Sequence, residues 1–201
     1  MSEVKFSILI PAIPERIGLL SKLLEKLNPQ TENQPVEVII LMDNKKRPLG
    51  DKRNLMMREC QGKFLAHLDD DDSISDDYVS SILAALDRNP NTDVVCFWQQ
   101  ADLGDNMPYT VYTSLAFENE DSNIAKKKVD GKVIQYRPNI RRKPWHWCVW
   151  RTEIARQGVF PLEFYAEDWL WLQQVIPLCR TETQIDKILH YYFYNKQVSL
   201  S

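Results

Sequence analysis

The strongest constraint in this sequence is an alternation that runs into a block of charge. Within the first hundred residues, short apolar runs alternate with helical periodicity, and the third run ends in four consecutive aspartates. Phe6–Ile10 reads as a buried strand that stops at Pro11. Pro14 suits a first helical position, with Glu15 in the first turn, where an acid favours the helix dipole. Ile17, Leu20, Leu24 and Leu27, with Leu19 and Leu23 beside them, then form an apolar stripe, and Asn28–Gln34 is a polar loop. Val36–Met42 is a second buried strand stopping at Asp43, Asp51–Gln61 a helix closed by Gly62, and Phe64–Leu68 a third strand leading into Asp69–Asp72. Ser75 suits the N-cap of a helix through Leu86, with Tyr78, Val79, Ile82, Leu83 and Leu86 on its buried side, and Asp93–Trp98 is a fourth strand. Strand–helix alternation of this kind predicts an α/β fold, a mainly parallel, Rossmann-like sheet with crossover helices. Ligands in such sheets sit at the carboxyl ends of the strands. The places to look are therefore Pro11–Arg16, Asp43 and Asp69–Asp72.

Composition narrows the function classes. The 201 residues are enough for one large domain. Apolar residues make up 44% and charged residues 26%, which excludes wholesale disorder. A formal net charge of −3 excludes a generally basic nucleic-acid coat, though not a local patch. No apolar run is long enough to cross a bilayer. The start lacks the pattern of a secretory signal, so the expected location is cytoplasmic. The four cysteines are scattered with no CxxC pair and read as free buried thiols.

Beyond residue 100 the pattern loosens. Asp130-Gly131 looks like a hairpin turn between Lys128–Val129 and Lys132–Gln135, and Lys126–Lys143 holds eight Lys or Arg against one Asp. That stretch reads either as a solvated hairpin or as a contact for an acidic acceptor, DNA among them. Trp145–Arg151 is strand-like, a short helix lies near Thr152–Gln157, another spans Asp168–Leu178, and Ile188–Tyr194 is a final strand. Five of the six tryptophans fall between Trp145 and Trp171.

Four aspartates in a row repel one another unless something cationic compensates them. Their hard oxygens suit Mg²⁺ or Mn²⁺, which keep several waters and are shared with substrate phosphates. The plain alternative is a solvated acidic loop capping the next helix.

Five short motifs in order resemble the nucleotide-sugar domain of family 2 glycosyltransferases, which have the GT-A fold. They are Pro11–Arg16 (a PTYNR-like turn), Asp43 closing the second strand, Lys52-Arg53-Asn54 (an ARN-like tripeptide), Asp69–Asp72 (a DXD motif) and Ala166-Glu167-Asp168-Trp169 (an xED motif). The resemblance covers roughly residues 5–98 and 145–201, with the tail HYYFYNKQVSLS resembling the closing strand and Ser-x-Ser end of the family. The variant of these motifs is similar to small members from phages and bacteria. It implies a single GT-A domain over residues 1–201, with 1–100 binding the nucleotide-sugar and 101–201 the acceptor.

The resemblance also implies roles. Asp43 would accept a hydrogen bond from the donor base, uracil N3–H in the family, with Pro11 and Ala12 offering backbone contacts. Glu15, Arg16, Arg53, Asp69 and Asp70 would complete the nucleotide site, with surface ion pairs the alternative for Glu15 and Arg16 and plain solvation for Lys52. Asp71 would bind the metal, and His190 or His146 would complete its shell, because the family's usual Arg-x-His is replaced by Tyr194-Asn195-Lys196; Lys196 would then face phosphate. Asp168 would be the general base, with Glu167 beside it, in an inverting, metal-dependent transfer from a UDP-sugar to a hydroxyl on a glycan or a modified DNA base. Trp145, Trp169 and His146 would contact acceptor or sugar; an aromatic cluster is equally a core feature. His67, inside a strand, reads as structural. Two rivals stand beside this reading. A sugar nucleotidyltransferase would carry a Gly-rich loop after the first strand, which Pro11–Arg16 is not. A catalytically silent nucleotide- or glycan-binding module would bind without turnover.

Overall fold

The computed structural model describes residues 3–162 and 166–194. Strand β1 (Phe6–Ala12) is buried along its whole length. It lies between β2 (Val36–Met42) and β3 (Phe64–His67) and runs parallel to both. Helix α1 (Ile17–Thr31), entered through a single 3₁₀ turn at Pro14–Arg16, connects β1 to β2, and α2 (Leu49–Glu59) connects β2 to β3. Buried on both faces, β1 can consist of apolar residues almost without interruption, which is why its sequence shows no alternation.

The chain continues through β4 (Ser73–Ile74), α3 (Tyr78–Arg88), β5 (Val94–Asp102), β6 (Tyr109–Thr113), β7 (Ala125–Val129), β8 (Lys132–Tyr136) and β9 (Ile140–Arg142). It ends with β10 (Val149–Arg151), α4 (Thr152–Ala155), α5 (Glu167–Val175) and β11 (Glu182–Phe193). Among the described residues, nine strands form one mixed sheet whose main path is β2-β1-β3-β10-β5-β11-β4, with β6 beside β5 and β9 beside β6. The β10 strand runs antiparallel to both β3 and β5 and joins the two halves of the sheet. The main core is continuous across this join, from Phe6, Ile8 and Leu65 to Phe97, Trp150 and Trp171.

Several sequence expectations need adjusting. The buried stripe of α1 is Leu20, Leu23 and Leu27, whereas Ile17 is exposed. The third helix starts at Tyr78, not just after Ser75, because the Ser75 N–H is bonded to the Leu189 carbonyl on β11 and its hydroxyl donates to Asp77 at 2.8 Å. Only Val149–Arg151 of the expected strand at 145–151 is extended, since a turn at Trp145–Cys148 precedes it. The last strand begins at Glu182, six residues before Ile188, and pairs in parallel with β5 along its length. Strands β6 and β9, in the loosely patterned stretch, had no apolar run to announce them. The hairpin is as expected: among the described residues β7 and β8 pair only with each other, and Asp130 and Gly131 have φ of 48° and 80°, the left-handed pair of a tight two-residue turn. All four cysteines are free and buried, and among the described residues no helix is long and apolar enough to cross a membrane.

Candidate active site

The carboxyl ends of β1, β2 and β3 open onto a cleft of about 530 Å³, closed on its other side by β5, β9, the turn before β10 and the start of α5. It is lined by Pro11, Ala12, Arg16, Arg53, Asp69, Asp70, Asp71, Asp72, Trp145, His146, Glu167, Asp168 and His190, among others. The carboxyl-end rule thus brings together residues 157 positions apart in the chain, from Pro11 to Asp168.

At the β1–β2 end, Lys52 is buried and its ammonium lies 2.6 Å from Asp43 Oδ1 and donates to the Ala12 carbonyl at 3.0 Å. The backbone N–H of Arg47 donates to Asp43 Oδ2 at 2.7 Å. Burial raises the Asp43 carboxyl, but these donors outweigh it and the net shift is downward. The expectation of a solvated Lys52 is therefore corrected: α2 carries it inward on the same turn as Arg53. Asp43 stands behind Lys52 and does not itself line the cleft.

Arg16, on the 3₁₀ turn after β1, is also buried. Its Nη1 reaches Asp70 at 2.9 Å and Asp71 at 3.1 Å, while the Ile13 N–H donates to the second Asp70 oxygen at 3.1 Å. The surface ion pair expected as its alternative is thus an interior one. Glu15 points away from the cleft and pairs with Lys45 at 3.0 Å.

Arg53 is the central fastener. Its guanidinium is 1% exposed, 2.7 Å from Asp69 and 3.3 Å from Glu167, with its carbon 5.5 Å above the Phe160 ring. It ties the aspartate tract after β3 to the first turn of α5. Glu167 is pushed up by burial despite this arginine.

Asp168 is held from three sides. The Trp145 indole N–H donates to Oδ2 at 2.8 Å, its own neighbour's N–H (Trp169) donates to Oδ1 at 2.7 Å, and His146 Nδ1 is 3.3 Å from Oδ2. Burial opposes ionisation, but the His146 contact, the imidazolium and the Arg53 charge hold the carboxyl well below the usual range. Burial and Arg53 push the His146 imidazole down, and its contacts with Asp168 and Asp69 raise it further than they lower it. Trp169 is partly exposed and stacks on Trp145 with ring centroids 5.8 Å apart; it does not line the cleft.

The aspartates divide the work among themselves. Asp69 faces Arg53 and, at 3.7 Å, His146. Asp70 is taken by Arg16 and the Ile13 amide. Asp72 turns inward, accepting the Asp69 N–H at 3.2 Å and lying 2.9 Å from His190 Nε2. Among the described residues Asp71 pairs only with the shared Arg16, and burial followed by the charge of Asp69 pushes it up to about 7. The four carboxylates thus carry more negative charge than the nearby arginines balance at Asp71. That position, with hard oxygen donors, fits a divalent cation. Among the described residues no three His, Cys, Asp or Glu side chains converge to hold a metal alone, so such an ion would need ligands from substrate and water. His190 has both ring nitrogens engaged, by Asp72 and by Gln99 at 3.0 Å, and stacks on Trp147. Its side chain serves Asp72, a role its sequence position did not reveal. His67 is buried in β3 against Phe160 and Trp171, as a structural residue would be. Lys196 and the Ser-x-Ser end lie outside the described residues.

A family model described as glycosyl transferase family 2 matches residues 32–142, more than half the chain. No curated protein sequence matches. Among solved structures, the 1–349 fragment of S. aureus TarS has a TM-score of 0.64 at 18% identity, covering 94% of this chain and 60% of the fragment. The same fragment in complex with UDP-GlcNAc gives 0.63, covering 96% and 59%. The mannosyltransferase PcManGT from Pyrobaculum calidifontis, in complex with GDP-Man and Mn²⁺, gives 0.61 at 12% identity, covering 98% and 59%. At these identities the likeness is one of fold, a curled, mostly parallel sheet flanked by helices. The chain spans about 60% of the length of these structures.

Proposed function

The chain belongs to glycosyl transferase family 2, and on that premise we propose that it moves a sugar from a UDP-sugar to a hydroxyl acceptor with inversion at the anomeric carbon. One observation carries the reading: the aspartates after β3 and the carboxylate of Asp168 face the same cleft, at the place where strand ends bind ligands. The nucleotide lies over Pro11, Ala12 and Lys52, with the diphosphate toward Arg16, Arg53 and Asp69–Asp72.

Asp168 removes the proton of the acceptor hydroxyl as that oxygen forms its bond to C1 of the sugar. The bond from C1 to the diphosphate oxygen breaks in line, and the nucleoside diphosphate leaves. A carboxylate held ionised is suited to accept the proton late, as the oxygen becomes acidic on attack. The Trp145 and Trp169 N–H groups and His146 fix its orientation, which is where most of the catalytic gain from positioning arises. Glu167 and Arg53 hold α5 against the aspartate tract. Asp71 is the residue to hold Mn²⁺ or Mg²⁺, with the donor's phosphate oxygens and water as the other ligands; bound there, the ion would supply Lewis-acid stabilisation of the departing diphosphate. The neighbours bound to UDP-GlcNAc and to GDP-Man with Mn²⁺ support a nucleotide-sugar donor.

The test is release of UDP from a panel of UDP-sugars, with and without Mn²⁺. Metal-dependent release that is lost in Asp71→Ala supports transfer chemistry. Binding without turnover, unaffected by Asp168→Asn, supports a silent binding module instead, and pyrophosphate formation or consumption supports a nucleotidyltransferase.

A further inference from the structure

The cations lining the cleft are almost all neutralised by the protein itself. Arg16 pairs with Asp70 and Asp71, Lys45 with Glu15, Arg47 with Asp51, Lys52 with Asp43, and Arg53 with Asp69 and Glu167. Arg142, on β9, is the exception among the described residues. It lines the cleft, its buried Nε has no hydrogen-bond partner, and among the described residues no carboxylate forms a salt bridge with its guanidinium. Its guanidinium carbon sits 4.6 Å above the ring of Trp145, the residue that donates to Asp168. Burial lowers its pKa, and the charges of Tyr109, Asp168 and Asp121 oppose that only in part.

Arg142 is half-buried, and a buried guanidinium N–H left without an acceptor is costly unless a ligand completes it; its flat fork of donors matches an oxyanion. On the reading proposed above, the donor diphosphate lies toward Arg16, Arg53 and the cation at Asp71, which leaves Arg142 for another anion. The surroundings of Arg142 point the same way as its missing partner. Lys126–Lys143 carries eight basic residues and one acid, while the rest of the chain carries seventeen against twenty-seven. Arg137 pairs with Asp105 and Lys143 approaches Glu118 at 3.5 Å, but no acidic side chain among the described residues pairs with Lys126, Lys128 or Lys132. The stretch of chain that leads into Arg142 is thus strongly basic, a charge that favours the approach of an anion.

We propose that Arg142 anchors an oxyanion carried by the acceptor, a phosphate or a carboxylate close to the reacting hydroxyl. This rests on the glycosyltransferase reading and adds a chemical class for its acceptor.

The test is a titration of tryptophan fluorescence with inorganic phosphate, and separately with acetate, at constant ionic strength and with the protein saturated with UDP. The expected result is a saturable response whose apparent affinity falls at least tenfold in Arg142→Gln and is partly restored in Arg142→Lys. Circular dichroism checks that both variants fold, and the lysine variant alone decides the matter should the glutamine one not. The anion that binds more tightly names the acceptor's charged group. Equal titrations of wild type and variants, or no saturable response in the wild type, overturn the proposal. So does a response that appears only without UDP, because Arg142 would then serve the donor's diphosphate. Should UDP itself fail to bind, the glycosyltransferase reading fails, while the same titration on the free protein still decides whether Arg142 holds an anion.

Discussion

At the level of single residues, two groups do different work with the same chemistry. Asp168 is a carboxylate held ionised, while Arg53 is a cation tied to two carboxylates, Asp69 and Glu167. Replacing Asp168 with Asn keeps the shape and removes the proposed proton acceptor, so on that proposal sugar transfer should fall by about 10²–10⁴-fold in kcat with UDP affinity nearly unchanged; steady-state kinetics beside UDP titration checks both. Arg53→Met leaves the buried Glu167 and the half-buried Asp69 without their cation, and breaking a buried pair from one side costs about 3–5 kcal/mol, an upper bound here because Asp69 stays partly solvated. Urea unfolding should show that loss, and a midpoint equal to wild type would refute the fastening role. Arg53 was readable as a site residue from its tripeptide, because a motif records which side chain is needed. Lys52 was not, because the direction a helix turns its side chains depends on what the helix packs against.

At the level of elements, α2 is tightly fitted at its first turn. A Cβ built on Gly50 would stand 2.1 Å from the Pro161 carbonyl oxygen, a backbone atom that cannot swing aside. Gly50→Ala should therefore push α2 away from the 160–161 segment and with it move Lys52 and Arg53. Overpacking of this kind costs about 1–3 kcal/mol, and the fall in melting temperature should be accompanied by weaker UDP binding. A loss of stability with full donor affinity would separate the helix from the site. The β7–β8 ribbon is the opposite case, since it pairs with no other strand. Its turn was legible from Asp130-Gly131 because a tight hairpin requires left-handed φ, which few residue pairs tolerate. Strands β6 and β9 were not legible, because short strands take their pairing from partners distant in sequence.

At the level of the whole molecule, the cleft joins the β1–β3 half to the α5 half through charge, so stability should depend on pH. The Asp168 carboxyl is depressed from its ordinary value of 3.8, so its contribution is present above that value and is lost as the pH falls. The His146 imidazole is raised above its ordinary 6.5, so its contribution is complete below that value and is lost as the pH rises through the folded pKa. The pair thus favours a window between about 4 and 6.5, and Asp168→Asn should flatten stability on both sides of it when urea midpoints are plotted against pH. A donor that bridges both halves should stabilise the fold by mass action. At a hundred times Kd the gain is about 2.7 kcal/mol, a rise of several degrees in a chain of this size. A flat melting profile across UDP-sugars with Mn²⁺ would count against a nucleotide site in the cleft.

The sequence by itself determined the α/β class, the order of the first four strands and the positions of the acids, because buried strands and helix stripes are written in apolar spacing and strand ends are written in charge. It also carried the order of motifs that marks the family. Only the tertiary structure decided which charge meets which. Arg53 bridges Asp69 and Glu167, Lys52 pairs with Asp43, His190 serves Asp72, and among the described residues Arg142 has no carboxylate partner. These pairings join residues far apart in the chain, and a Coulomb interaction depends on distance in space, on burial and on what else is near, none of which spacing along the chain records.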